Sequence, residues 1–160
     1  MIITKTPYRI SFFGGGSDYP DWYKKFGGSV LSTTIDKYIY ISCRKLPPFF
    51  DHKYRIVWSK IENVKTIDEI KHLTVRKLLK YNKIKSGLEI HYDGDLPARS
   101  GMGSSSSFSV GLMRALMNYQ YKDLKGINLA HKTIFFEQKI MKEIVGSQDQ
   151  VAASIGGFNK

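Results

Sequence analysis

The sequence predicts an α+β fold in which a mixed sheet packs with helices, and three observations carry that reading. Residues 2–13, 29–45, 54–58 and 88–93 alternate in polarity or are rich in β-branched and aromatic side chains, as strands are. Residues 68–81 and the chain from about Ser104 onward change to apolar spacings of three and four, as helices do. The order is a run of strands, a helix, a strand and then helices, not the strict alternation of a doubly wound parallel sheet.

Taken in order, Tyr8, Ile10 and Phe12 share one face of the first strand, while Arg9, Ser11 and Phe13 share the other. "GGGSDYPDW" (14–22) breaks it with three glycines and a proline. "SVLSTTIDKYIYISCRK" (29–45) gives one long strand or two short ones, "LPPFFD" (46–51) a loop, and "YRIVW" (54–58) another strand. From Asp68 to Tyr81, Ile70, Leu73, Leu78 and Tyr81 fall near helical spacing. Asp68 and Glu69 then occupy the first turn, where the helix dipole favours carboxylates. "LEIHYD" (88–93) is a strand, 94–103 a loop, and Phe108, Leu112, Leu116 and Tyr119 mark a helix beginning near Ser104. Asn128 is the expected N-cap of a helix carrying Leu129, Phe136 and Ile140, which Gly146 ends. Ser147 is the expected cap of a last short helix, "QDQVAASI", closed by Gly156 and Gly157.

The 160 residues suit one core rather than two, and 42% hydrophobic content argues against disorder. Twenty-five Lys and Arg against fourteen Asp and Glu leave +11, which favours anionic partners. The basic residues are scattered, with no block of five or six and no zinc-finger or RNP-type pattern, which argues against nucleic acid. Cys43, the only cysteine, excludes an intramolecular disulfide; its strand-like setting "YIYISC" predicts a buried small hydrophobe. His52, His72, His91 and His131 show no metal-ligand spacing. No segment approaches membrane-spanning length and no leader pattern opens the chain, so a cytoplasmic protein without a membrane partner is expected.

The most informative stretch is "LPARSGMGSSSSFSVGL" (96–112): a proline, two glycines and four serines between a strand and a helix. Unpaired N–H groups at a helix N-terminus attract anions, glycines let a ligand approach the backbone, and serine hydroxyls can bind a hard cation. The P-loop pattern fails for want of a lysine after Gly103, the dinucleotide pattern for want of glycine at Ser106, and the nucleophile-elbow pattern for want of its first glycine. By itself the stretch is equally a serine-capped helix after a tight turn.

Two further stretches extend the signal: "PYRISFFGGGSDY" (7–19) and "GSQDQVAASIGG" (146–157), with Glu137 on the preceding helix. Together the three resemble the ordered motifs of the GHMP kinases, the superfamily of galactokinase, homoserine kinase, mevalonate kinase and phosphomevalonate kinase. Its second motif, P-x-x-x-G-[LM]-[GS]-S-S-[AS], is met by Pro97, Gly101, Met102, Gly103, Ser104, Ser105 and Ser106. The pattern is most similar to the sugar-1-kinase branch, in particular the bacterial kinases of D-glycero-D-manno-heptose 7-phosphate, with fucose-type anomeric kinases as the nearest alternative.

The resemblance implies the superfamily's N-terminal domain, a mixed sheet and helices of ribosomal-protein-like fold, over residues 1–160. It implies ATP and Mg²⁺ as cofactors. Pro97 and the loop Gly101–Ser107, including Ser107, would hold the phosphates, and Ser105 with Glu137 would hold the metal. Glu137 stands beside Phe135 and Phe136, which favours an inward position; Glu143 ranks below it. Asp149 would accept or orient the proton of the attacking hydroxyl, and Arg9 would pair with Asp149 and the transferring phosphoryl group. Gly15, Gly16, Ser17 and Asp18 would face the sugar, with Asp18 accepting from its hydroxyls. Where galactokinase has Glu and His, this chain has Gly15 and Gly16, which disfavours galactose and makes room for a larger or phosphorylated sugar. Arg44, Lys45 and Arg55 are the candidates for a distal phosphate.

Members of this superfamily are about twice as long, so the chain is expected to be an N-terminal half lacking the second subdomain, with little activity alone and a former interface that favours pairing into a homo-oligomer. A nucleic-acid module, or a nucleotide sensor without turnover, stands as the alternative of another class.

Overall fold

The computed structural model describes residues 1–98 and 100–160. Strands β1 (Ile2–Phe13), β2 (Leu31–Lys45), β3 (Tyr54–Val57), β4 (Ile61–Val64) and β5 (Leu88–Gly94) form a sheet in the order β1–β2–β5–β3–β4, and β6 (Phe158–Asn159) pairs with the start of β2. All pairings are antiparallel except β3 with β5. That parallel pair needs a crossover, supplied by β4, a 3₁₀ turn (Ile67–Glu69) and helix α2 (Leu73–Tyr81). The sheet is therefore mixed and the expected α+β class holds.

Strand alternation creates one apolar face. Tyr8, Ile39, Ile41, Cys43, Tyr54, Ile56, Leu88 and Ile90 lie on it, all at most 2% exposed. Helix α3 (Ser104–Tyr119) crosses this face and is buried from Ser106 to Met113, which explains why its polar positions are few and small. The approach is close. Thr4 Oγ1 donates to the Gly111 carbonyl at 3.1 Å, and a Cβ at Gly111 would stand 2.7 Å from Thr6 Oγ1. Helices α4 (Gly126–Phe135) and α5 (Gln148–Ile155) complete the helical layer, and α5 also touches β1. On the opposite face, Glu89 pairs with Arg44, Arg55 and His91.

Several expected boundaries move. The 14–22 break contains the start of helix α1 (Pro20–Phe26), whose Pro20, Asp21 and Lys24–Lys25 are suited to their ends. It buries no residue, so no apolar period announces it. β4, "IENV", is four residues long and carries equally little pattern. Asp68 and Glu69 lie in the 3₁₀ turn, not in α2, which begins at Leu73 behind His72. Asn128 is not a cap: Lys125 holds that position and Gly126 (φ 54°) opens α4. The helix does not run to Gly146. It passes into a π-helical segment, Phe136–Met141, and stops at Lys142 in the left-handed region. Gly156 (φ 77°) closes α5 as expected. Among the described residues no helix is long and apolar enough to cross a membrane.

Cys43 is 1% exposed, and burial pushes its thiol up to about 12. Native protein should therefore leave a thiol reagent unreacted at pH 8, with one equivalent released on unfolding. Stoichiometric labelling of the native chain within minutes would contradict this packing.

Candidate active site

The loop between β5 and α3 ends in two glycines with φ of 75°, Gly101 and Gly103. Gly103 occupies the N-cap position of α3, and no side chain caps that helix. The serine-capped alternative is thereby excluded, and the first-turn N–H groups keep their capacity for an anion. Ser107 does not face the loop. It is buried, and its Oγ donates to the Pro7 carbonyl at 2.9 Å, fastening α3 to β1.

β1 brings Arg9 to this loop. Its backbone N–H donates to the Met102 carbonyl at 3.2 Å and its Nη1 to the Gly101 carbonyl at 2.8 Å. Its Nε donates to Asp149 Oδ1 at 2.7 Å. Asp149 Oδ2 lies 3.2 Å from where a Gly103 Cβ would stand, with Arg9 Cγ 3.4 Å from the same point. Residues 9, 101–103 and 149 therefore meet at the tip of α3. The pair is only partly buried, at 12% and 24% side-chain exposure, so its geometry matters more than its contribution to stability.

Glu137 sits on the π-helical segment, 1% exposed. Its Oε2 accepts from Ser106 Oγ at 3.0 Å and from Gln150 Nε2, while Oε1 has no partner. The serine joined to Glu137 is thus Ser106, not Ser105, which is exposed. Consecutive helical residues point about 100° apart, so Ser105 does not share the direction in which Ser106 meets Glu137. Glu143 lies near Glu137 but does not replace it; its backbone N–H donates to the Glu137 carbonyl at 3.0 Å. Among the described residues no three His, Cys, Asp or Glu side chains gather as metal ligands. One carboxylate with a vacant buried oxygen and nearby serine hydroxyls fit Mg²⁺, which takes few protein oxygens and completes its shell with phosphate and water.

Asp18 is occupied by backbone donors. It is 8% exposed. Its Oδ2 accepts the N–H groups of Ser147 (2.8 Å) and Gln148 (3.0 Å), and its Oδ1 that of Gly16 (3.1 Å). Asp18, not the Ser147 side chain, caps α5. The turn before it is locked by Ser17 Oγ, which donates to the Gly14 carbonyl at 2.7 Å. Gly15 faces Gln148, with 3.5 Å between a built Cβ and Nε2, and Gly16 (φ 96°) is open. Two cavities flank Asp18 and Gln148. A small one of about 100 Å³ also holds Arg9, Ser106, Asp149 and Gln150; a larger one of about 890 Å³ also holds Ser17, Tyr23 and Ser147.

Pro97 lies in the loop between β5 and α3 and is exposed. Arg44 and Arg55 are not at the site: they lie on the opposite sheet face with Glu89, and Lys45, the last residue of β2, is exposed. Sequence reasoning missed Gln148 and Gln150. They flank Asp149 in "SQDQ", but only the helical register of α5 shows one lining both cavities and the other reaching Glu137.

Burial, the largest influence, pushes the Glu137 carboxyl above its ordinary 4.5; the nearby Ser109 hydroxyl and the hydrogen bonds from Gln150 and Ser106 oppose this and Glu143 adds to it. A raised carboxyl pKa means the folded state holds the proton more tightly. Stability therefore falls as pH rises from the unfolded value to the folded one, and the cost is complete above it. Glu137→Gln, which cannot ionise, should melt above wild type at pH 7.5, with the difference vanishing below about pH 4. A variant melting lower at both pH values would contradict this.

Comparison with known proteins places these observations in a family. The model of the GHMP kinases N terminal domain matches residues 67–157. The D-glycero-alpha-D-manno-heptose 7-phosphate kinase of Campylobacter jejuni is 31% identical over 167 aligned residues, covering 99% of this chain and 49% of that protein. A D-glycero-D-manno-heptose 1-phosphate kinase from Bacteroides thetaiotaomicron superposes with a TM-score of 0.84 at 23% identity, over 99% of this chain and 55% of that one. The Methanococcus jannaschii mevalonate kinase superposes with a TM-score of 0.73 at 21% identity, over 98% and 52%. This chain spans about half the length of the curated relative it matches. A matched family model over more than half of the sequence, on a sheet and helical layer of the same fold, makes this chain a member of the GHMP kinase family, carrying its N-terminal domain.

Proposed function

We propose that this chain is the nucleotide-binding half of an ATP-dependent sugar kinase that phosphorylates the anomeric hydroxyl of D-glycero-D-manno-heptose 7-phosphate. The single observation that carries the reading is the meeting of Arg9, Asp149 and the Gly101–Gly103 turn at the uncapped tip of α3. The Campylobacter relative supports the heptose assignment.

Phosphoryl transfer asks a protein for position and charge rather than covalent chemistry. The glycine turn and the first-turn N–H groups of α3 bind the ATP phosphates. Glu137 and a serine hydroxyl of Ser105 or Ser106 would hold Mg²⁺, which would supply positive charge against the phosphates. Arg9 fixes Asp149 through Oδ1 and adds positive charge where negative charge develops. Asp149 Oδ2, above Gly103, takes or orients the proton of the acceptor hydroxyl. The acceptor enters from the larger cavity past Ser17 and Gln148.

MgATP should raise the melting temperature of this chain. Joined to the second half of the Campylobacter relative, it should consume ATP and remove the reducing end of heptose 7-phosphate. Asp149→Asn should lower that turnover by about 10²–10⁴-fold while ATP affinity changes little. Turnover on fucose alone would move the substrate assignment, and an Asp149→Asn variant within fivefold of wild type would overturn the mechanism.

A further inference from the structure

We infer that Asp18 is a positioning residue: it sets the first turn of α5, and through it Asp149, in place of serving chiefly as a ligand for sugar hydroxyls. The catalytic consequence rests on the kinase reading above; the structural part does not.

Three observations converge. A carboxylate offers about four acceptor positions, and three of these are taken by backbone N–H groups, those of Gly16, Ser147 and Gln148. The latter two belong to the N-cap and first residue of α5, directly before Asp149. The side chain is nearly enclosed at 8% exposure, which suits a structural acceptor better than an open diol receptor. Finally, Gly146 is shaped around it. A Cβ there would stand 1.9 Å from Asp18 Oδ2 and 2.4 Å from Cγ. Its φ lies outside the left-handed region, so space rather than backbone conformation requires the glycine. The carboxylate cannot retreat without losing the amides it holds. The turn that carries Asp18 is itself braced. Ser17 Oγ accepts the Ser29 N–H at 3.2 Å, and a Cβ on Gly28 would overlap the Ser17 carbonyl at 2.2 Å. Asp149 is thus held from two sides, by Arg9 on its carboxylate and by Asp18 on its backbone turn. Misplacement of a reacting group by about 1 Å can cost on the order of 10²-fold in rate.

A double-variant comparison tests the structural part without any kinase assay. Gly146→Ala should lower the melting temperature by about 5 °C or more in the wild-type background. In an Asp18→Ala background, where the clash is gone, it should lower it by less than about 2 °C. Equal losses in both backgrounds would overturn the proposal. In the completed enzyme, Asp18→Asn should lower kcat about 10- to 100-fold and leave the acceptor KM within about threefold. A large rise in KM with kcat unchanged would return Asp18 to the sugar site and refute the positioning role.

Discussion

The contact between Arg9 and Asp149 is the constraint around which the rest of the structure is arranged. The two residues are 140 positions apart, on a strand and on a helix, and they meet only because α5 lies against β1. The same guanidinium also reaches the Gly101 carbonyl, so one side chain ties together strand, loop and helix. Each surrounding choice protects that meeting. Gly103 leaves the room that Asp149 Oδ2 and Arg9 Cγ occupy, and Ser107 pins α3 to the strand two residues before Arg9. An ion pair that is partly exposed adds little stability, so its orientation is supplied by the packed sheet and helices beneath it.

Glu137 shows the opposite balance. A carboxylate that is 1% exposed, with one oxygen unpaired, is a costly group for a folded chain. The π-helical segment displaces the ordinary helical register just where this residue turns inward, and such segments often mark functional positions. The nearby serines and Gln150 offset part of the cost but leave an acceptor that suits a hard cation. Stability is sacrificed at this position in a way that the apolar core on the sheet's helical face can absorb.

Asp18 shows how a short motif can mark a turn without revealing which donors its carboxylate meets. The run "GGGSDY" marks a tight turn beside the site, and the structure has one there. That turn, however, aims its carboxylate at the backbone of α5, because the N–H groups at a helix start are strong, fixed donors awaiting a partner. Ser147 stood in the sequence position of a cap, yet the capping oxygen came from 129 residues away.

The sequence by itself determined the class of fold, the long strands, the helix beginning at Ser104 and the glycine–serine loop. These depend on local period, local turn chemistry and short motifs, and all of that information lies within a few residues. It also brought forward Arg9, Glu137 and Asp149 as a set, through the order of three motifs. Only the tertiary structure decided which serine meets Glu137, which oxygen caps α5, that Gln148 and Gln150 belong to the site, and that Arg44 and Arg55 lie on the far face of the sheet. Each of these depends on the angle at which one element crosses another. A change of one residue in helical register turns a side chain by about 100°, and a change of one in a strand reverses its face. Local sequence carries no record of those crossings, which the whole chain settles when it closes its core.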